Sequence, residues 1–232
     1  MTESLNQLLA DLHTERERTW DAADLQVNID QRRRLVEEAP RRRFVQSGDF
    51  VAPFELHKVG GERLTRDGLL ADGPAVLVFF RFAGCPACNL AIPYYDRQLY
   101  PQLQQWGVPL VAVSPQVPER LIEIQTRHAL KLHVASDLGN QLAQRFGIVY
   151  QFDQASQQAA LAKGPGIGVI TGTGTWELPQ PTVVVIGQDQ RVHFAQVSPD
   201  WLVRTEASPI LEAVQALLPT QTNGPLRNAV GY

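Results

Sequence analysis

The chain has 232 residues, of which 44% are hydrophobic and 19% charged, and its formal net charge is −3. This composition is ordinary for a globular protein, and the small net charge gives no electrostatic footprint for nucleic acid or a membrane surface. No apolar run reaches the ~18 residues of a membrane span, and the N-terminus lacks the basic and apolar regions of a secretory signal. We therefore predict a cytoplasmic protein with no nucleic-acid and no membrane partner.

Residues 1–45 are predicted to form a helical extension. Ser4 is a possible N-cap, and four leucines follow at the spacing of one helix face: Leu5, Leu8, Leu9 and Leu12. A second, charged helix is expected over residues 23–38. Two arginine runs, at 32–34 and 41–43, are interpreted as a solvated helix face and a basic linker. Nucleic-acid or membrane-surface binding is the less favoured alternative, because no aromatic residues interleave with the arginines.

Residues 46–219 are predicted to form the main domain, in which strand and helix patterns alternate. Strands are expected within 45–59 and at 75–82, 108–114 and 133–136, helices at 86–105, 117–130 and 138–146, a hairpin at 182–186 and 191–197, and a last helix at 208–218. Such alternation is typical of an α/β fold with a central mixed sheet flanked by helices.

Four local features complete this prediction. Pro93 should kink or break the helix over 86–105, and Asp137 should cap the helix that starts at residue 138. The glycine-rich stretch 149–181 is expected to be irregular; its G-x-G-x-G run at 164–168 lacks the preceding strand and following Lys-Ser/Thr of a phosphate loop. The polar tail 220–232 is predicted to be flexible.

The two cysteines of the chain, Cys85 and Cys88, form a C-x-x-C motif where the strand at 75–82 meets the following helix. Free N–H groups and the helix dipole stabilise a thiolate at such a position, and they can lower a cysteine pKa from about 8.5 to roughly 3.5–7.5. We expect Cys85 to be the ionised, solvent-accessible attacking sulfur and Cys88 the more buried resolving thiol. The alternative is two ordinary buried cysteines.

A C-x-x-C motif beside a βαβ pattern is the plan of a thioredoxin-like fold. Pro181 precedes the strand at 182–186, where such folds place a cis-proline; a plain trans-proline is the alternative. Two cysteines and five scattered histidines do not supply the four ligands of a structural zinc site. We therefore expect neither a metal nor any other cofactor.

Several motifs in this order resemble the peroxiredoxin-like branch of the alkyl hydroperoxide reductase and thiol-specific antioxidant (AhpC/TSA) superfamily. They lie at residues 51–56, 79–90, 111–116, 136–140, 146–149 and 176–179. The resemblance runs from about residue 48 to 218. It implies a thioredoxin-like fold and antioxidant peroxidase activity through a redox-active centre that forms a disulfide bond. It also implies a peroxide substrate, a thioredoxin-like dithiol reductant and a possible homodimer.

The chain departs from the peroxiredoxin pattern around the first cysteine. Val78 and Phe82 stand where the family has proline and threonine, so the hydroxyl that would orient the peroxide is missing. A family arginine is also absent, because its position falls at Pro181. Arg81 and Arg204 are the candidates to compensate, and surface or ion-pairing roles are their alternatives.

Two residues before Pro181 are weaker candidates. Trp176 and Glu177 are candidates to line the cleft, and Glu177 is a candidate proton carrier for Cys88. A packing tryptophan and a solvated carboxylate are the alternatives, and the solvated carboxylate is the favoured interpretation of Glu177.

Three functions remain open on the sequence. The first is a peroxidase that reduces hydrogen peroxide or alkyl hydroperoxides through Cys85 and Cys88. The second is a thiol–disulfide oxidoreductase that exchanges with protein disulfides without a peroxide step. The third is a non-enzymatic redox sensor or binding domain that docks a partner through its helical N-terminus.

Overall fold

The computed structural model describes residues 3–219. Its strands are β1 (Glu55–Lys58), β2 (Arg63–Thr65), β3 (Ala75–Phe79), β4 (Leu110–Ser114), β5 (His133–Ser136), β6 (Val149–Gln151), β7 (Glu177–Pro179), β8 (Thr182–Ile186) and β9 (Val192–Val197). Its α-helices are α1 (Leu5–Thr19), α2 (Ala22–Glu38), α3 (Arg66–Leu69), α4 (Pro86–Gln98), α5 (Tyr100–Gln105), α6 (Pro118–His128), α7 (Gln141–Arg145), α8 (Gln154–Lys163), α9 (Ile167–Thr171) and α10 (Ala207–Gln215).

Seven strands form one mixed sheet with the order β2-β1-β5-β4-β3-β8-β9, and β6 pairs with β7 separately. The three central strands β3, β4 and β5 run parallel, with Leu77 opposite Val111, whereas β8 joins β3 antiparallel with Val184 opposite Leu77. Every residue of β3, β4 and β8 is buried, because helices cover both faces of the sheet. The predicted α/β fold with a central mixed sheet is confirmed.

The helix predicted over 86–105 is broken, but at a different proline. Pro93 lies inside α4, which ends at Gln98; Leu99, between α4 and α5, keeps right-handed helical angles that are distorted to φ −106°. Pro101 accounts for the interruption, because it has no N–H with which to continue the hydrogen bonds of the helix. The predicted break at Pro93 was therefore wrong in its position, and the alternative, a kink at Pro93, stays a prediction.

The stretch 149–181 is more ordered than predicted, since it contains β6, α8, α9 and β7. The alanines and glutamines of α8 are good helix formers, and Asp153 caps this helix by accepting from the Ser156 N–H at 2.8 Å. Glycine is required at Gly168, where a Cβ would lie 2.5 Å from the Thr175 nitrogen. The glycines of this stretch suggested irregular structure, because the close packing that requires a glycine at Gly168 appears only in the folded chain.

Asp137 caps a helix, as predicted, but the helix begins later. A 3₁₀ turn spans Leu138–Asn140, and the Asp137 carboxylate accepts from the Leu142 and Ala143 N–H groups at 3.0 and 2.9 Å. Burial raises the pKa of Asp137, although these hydrogen bonds favour its charged form.

The N-terminal helices pack onto the sheet domain. Leu5, Leu9 and Leu35 are 0%, 0% and 1% exposed, and they belong to the same apolar cluster as Cys85 and Cys88. The boundary at residue 45 stays a prediction, but the first two helices share their core with the redox motif.

Glu206 fixes the start of α1 to the sheet domain. Its carboxylate accepts from the Leu5 and Asn6 N–H groups at 3.0 and 2.9 Å, from the Ser4 hydroxyl at 2.8 Å and from the Tyr94 hydroxyl at 2.8 Å. Burial alone would raise the pKa of Glu206, but these hydrogen bonds lower it to about 2. Glu206 thus supplies an anion at a helix N-terminus, where the dipole favours one.

The arginine run in α2 is not a uniformly solvated face. Arg32 is only 8% exposed, and its Nη1 lies 3.1 Å from the Asp200 carboxylate. The solvated-face interpretation was therefore wrong for Arg32, because the helix turns this residue toward the domain.

Among residues 3–219 no helix is long and apolar enough to span a membrane. The predicted flexible tail 220–232 lies outside the described residues.

Candidate active site

Both cysteines lie at the N-terminus of α4. Cys85 is the N-cap residue, with extended backbone angles, and Pro86 begins the helix. The Cys88 N–H donates to the Cys85 carbonyl at 3.0 Å, so the two residues face each other across the first turn. This placement puts Cys85 at the positive end of the helix dipole, as the motif predicted.

Side chains from the end of β4 hold the loop that carries Cys85. The Ser114 hydroxyl donates to the Arg81 carbonyl at 3.1 Å, and the Gln116 side-chain oxygen accepts from the Ala83 N–H at 2.7 Å. From α4, the Asn89 amide donates to the Ala83 carbonyl at 2.6 Å. The sulfur is therefore positioned by buried hydrogen bonds rather than by a free loop.

Cys85 is not open to solvent, and the expectation of an accessible sulfur was wrong. Its exposed fraction is 1% and that of Cys88 is 0%, and both are free thiols. Both cysteines belong to an apolar cluster that also contains Leu5, Leu9 and Leu35 of the N-terminal helices, which sequence reasoning treated as a separate extension. The surroundings of the sulfur are nevertheless charged as well as apolar.

Two buried arginines reach the two sulfurs. Nη1 of Arg81 lies 3.8 Å from Sγ of Cys85, and Nη2 of Arg204 lies 3.6 Å from Sγ of Cys88. Arg81 is 6% exposed and Arg204 is 4% exposed, so neither is a surface side chain. Both arginines named from the sequence therefore lie at the motif, each beside a different cysteine.

The two sulfurs differ in acidity. The adjacent Cys88 thiol holds the pKa of Cys85 well below its usual range. Burial opposes this shift, and the positive charges of Arg81 and Arg204 lower the pKa further. Burial and the neighbouring Cys85 charge raise the pKa of Cys88 well above its usual range. Cys85 is thus set up as the thiolate and Cys88 as the protonated partner.

Tyr150 and Trp201 are site residues that sequence reasoning missed. Tyr150 is 4% exposed, and its buried hydroxyl is close enough to Arg81 and both sulfurs for their charges to influence it; burial raises its pKa to about 12. Trp201 is 2% exposed, and the Arg204 Nε donates to its carbonyl at 3.0 Å. Nothing in their local sequence marks either residue, because long-range folding brings them to the motif.

Arg16 was also missed, although the sequence carried a signal for it. It lies four residues after Leu12 and seven after Leu9 on the apolar stripe of α1, and it is only 4% exposed. A charged residue on the buried face of an amphipathic helix marks a candidate functional position.

The remaining predicted residues lie around this centre. Phe82 is 9% exposed, and its ring centre is 5.8 Å from the Arg81 guanidinium, so no hydroxyl replaces the missing threonine at that position. Pro181 is buried and immediately precedes Thr182, which pairs with Phe79 of β3.

The predicted cis bond before Pro181 was wrong. Residues 3–219 contain no cis peptide bond, so this proline has the trans geometry that X–Pro bonds ordinarily favour.

Trp176 packs against Phe152, with ring centres 5.9 Å apart, and it is half-buried. Glu177 lies in β7, and its carboxylate makes no hydrogen bond or ion pair with Cys88. The geometry therefore favours the packing role for Trp176, and it offers no contact for proton transfer by Glu177.

A strand–cysteine–helix junction within a mixed sheet is the arrangement of a thioredoxin-like fold. The family model described as AhpC/TSA family matches residues 47–195, which is more than half of the chain. The chain therefore belongs to the AhpC/TSA family, and it is an oxidoreductase of the peroxidase type.

Solved structures support the same fold. Peroxidoxin BcpB from Mycobacterium tuberculosis aligns with a TM-score of 0.58 at 21% identity, over 75% of this chain and 99% of that chain. A peroxiredoxin-like protein from Aquifex aeolicus aligns with a TM-score of 0.58 at 14% identity, over 75% and 89%. A thiol peroxidase from Chromobacterium violaceum aligns with a TM-score of 0.55 at 15% identity, over 75% of this chain and 88% of that chain. No curated protein matches this chain.

Proposed function

We propose that this protein is a thiol peroxidase that reduces hydrogen peroxide or alkyl hydroperoxides through Cys85 and Cys88. The observation that carries the proposal is the Arg81 guanidinium 3.8 Å from the sulfur of Cys85, at a helix N-terminus. A buried positive charge next to a thiolate both maintains the nucleophile and can stabilise the negative oxygen that leaves.

The reaction has three steps. The Cys85 thiolate attacks the outer peroxide oxygen and the O–O bond breaks, so the leaving oxygen takes a proton and departs as an alcohol or as water, while Cys85 becomes a sulfenic acid. The Cys88 thiol then condenses with the sulfenic acid, forming a disulfide and releasing water. A thioredoxin-like dithiol finally transfers two electrons and two protons to restore both thiols.

Tyr150 is our candidate for the hydroxyl that Phe82 does not provide. Its hydroxyl is buried close to Arg81 and both sulfurs, and its raised pKa keeps it protonated. A protonated hydroxyl can donate a hydrogen bond to the peroxide, which is the contact absent from the family's threonine position.

Protein disulfide exchange is the second candidate. Its first step requires a partner's sulfur to reach Cys85, which is only 1% exposed in the reduced protein, whereas a peroxide is small enough to reach the thiolate through a local opening. The dithiol reductant has to reach the pair only after oxidation, so the burial of the reduced pair bears on the first step alone. The sensor function is the third candidate, and a buried thiolate beside its protonated partner and two arginines favours catalysis over it.

Stopped-flow oxidation of the reduced protein tests the proposal. We expect oxidation by hydrogen peroxide far faster than that of a free thiol of similar pKa. Cys85→Ser should abolish the reaction, whereas Cys88→Ser should allow one oxidation to a trappable sulfenic acid and then stop. Oxidation no faster than the free thiol, or equal loss of the first step in both variants, would refute the assignment.

Two further parts of the proposal rest on the family resemblance and the sequence alone. We propose a homodimer, which sedimentation velocity tests, and a cytoplasmic location, which cell fractionation tests.

A further inference from the structure

Three guanidinium groups surround the indole ring of Trp201, which is 2% exposed. Their carbons lie 4.6, 5.6 and 5.7 Å from the ring centre: Arg81, Arg16 and Arg32 in that order. Arg16 and Arg32 come from the N-terminal helices, whereas Arg81 precedes Cys85. The extension therefore brings positive charge to the sulfur as well as covering it.

The carboxylates around this cluster do not balance its charge. Arg32 pairs with Asp200 at 3.1 Å, but within residues 3–219 no carboxylate oxygen lies within 4 Å of the nitrogens of Arg16, Arg81 or Arg204. The Cys85 thiolate offsets one of these charges. Burying the remainder without an anion costs considerable free energy, since buried charges are normally paired.

Several hydrogen-bond donors in the same region also lack partners. They are buried in the described part of the chain and belong to four side chains: Nη1 of Arg16, Nε2 of Gln31, Nε of Arg81 and Nε1 of Trp201. The side chains of Arg16, Gln31 and Arg81 are 4%, 5% and 6% exposed. Unpaired buried donors in a folded protein require an explanation, and a bound group rich in hydrogen-bond acceptors is one.

A cavity of about 200 Å³ opens onto two of these donors. Gln31 and Arg81 line it together with five apolar side chains, among them Trp20, Val27 and Phe152, and with the polar Asn28 and Ser156. Arg16 does not line the cavity, but its guanidinium carbon lies 4.8 Å from the ring centre of Trp20, which does. The charged residues Asp24 and Lys163 also line it, and they neutralise each other in an ion pair at 2.8 Å. Since one water occupies about 30 Å³ of liquid, this volume holds a small organic molecule.

We propose that this cavity binds small organic hydroperoxides that carry a carboxylate. Gln31 and the guanidinium groups around Trp201 hold the carboxylate, the apolar wall contacts the hydrocarbon, and the peroxide group faces Cys85 beside Arg81. This inference rests on the proposed peroxidase function. The O–O bond breaks as in the peroxidase reaction proposed above. The sulfur takes the outer oxygen, the leaving oxygen takes a proton, and a hydroxy acid departs.

A matched pair of substrates tests the proposal on the unmodified chain. We would compare a tertiary hydroperoxide of a short carboxylic acid with its methyl ester, which differs in charge but keeps the O–O bond. Charge-assisted hydrogen bonds predict an oxidation rate constant for Cys85 at least about tenfold larger with the acid. Equal rate constants would overturn the proposal while leaving the peroxidase function intact.

Arginine variants test where the carboxylate binds. Arg16→Gln should reduce the acid-to-ester ratio toward one. Arg18→Gln, on the same helix but exposed and paired with Glu15, should leave the ratio unchanged. A ratio that stays the same in both variants would overturn the assignment of Arg16.

A binding measurement separates this inference from the proposed function. In Cys85→Ser, which cannot react, the hydroxy acid product should raise Tm in a saturable manner and its methyl ester should not. This result supports the anion site even if no hydroperoxide oxidises Cys85, in which case only the peroxidase proposal fails. No shift with the hydroxy acid overturns the inference and makes the Arg16 contacts structural only.

Discussion

Replacing Arg81 by methionine should make Cys85 a weaker acid. The guanidinium nitrogen lies 3.8 Å from the sulfur, and both groups are buried. At that distance and an effective dielectric constant near 20, the attraction between unit charges is roughly 4 kcal/mol. Arg204 and the helix N-terminus remain in the variant, and hydrogen bonds to charged groups contribute ~1.5–3 kcal/mol. We therefore expect a loss of about 2 kcal/mol, or ~1.5 pKa units.

The ultraviolet absorbance of the thiolate and the alkylation rate of Cys85 as functions of pH measure this shift. Arg81→Lys keeps the charge and should retain much of the lowered pKa. Arg18→Gln, an exposed change on α1, should leave it unaltered. If Arg81→Met titrates like the unmodified protein, the sulfur does not depend on this charge, and the helix and Cys88 must maintain the thiolate.

Glu206→Gln should lower the free energy of unfolding by about 2 kcal/mol in urea titrations, after discounting for its partial exposure. Because the native pKa is about 2, below the ordinary 4.5, this stabilisation should be present above about pH 4.5 and disappear as pH falls toward 2. Tyr150→Phe should slow peroxide oxidation about tenfold in stopped flow, and an unchanged rate would exclude a role for the hydroxyl. Gly147→Ala should destabilise more than Gly107→Ala in thermal unfolding: both have φ +70°, but only at Gly147 would the Cβ meet the Arg43 carbonyl. Equal losses of stability in the two variants would show that the left-handed backbone alone, and not the contact with the Arg43 carbonyl, causes the destabilisation.

The sequence alone determined the fold class and the reactive pair. Buried strands appear as continuous apolar runs and helices as periodic ones, so β3, β4 and α6 could be located from local patterns. Cys85 and Cys88 could be paired because four neighbouring residues contain the whole motif. Arg81 precedes Cys85 by only four residues, so the local sequence also made it a candidate for the site.

Only the tertiary structure decided the environment of the sulfur. Arg16, Tyr150 and Trp201 lie far from Cys85 in sequence, and no local pattern states which buried residues meet. Leucines of α1 and α2 share an apolar core with Cys85, and the amphipathic pattern of these helices predicts a buried face but not its partner. Local chemistry therefore identified the nucleophile, whereas long-range packing set its charge, its access and its neighbouring cavity.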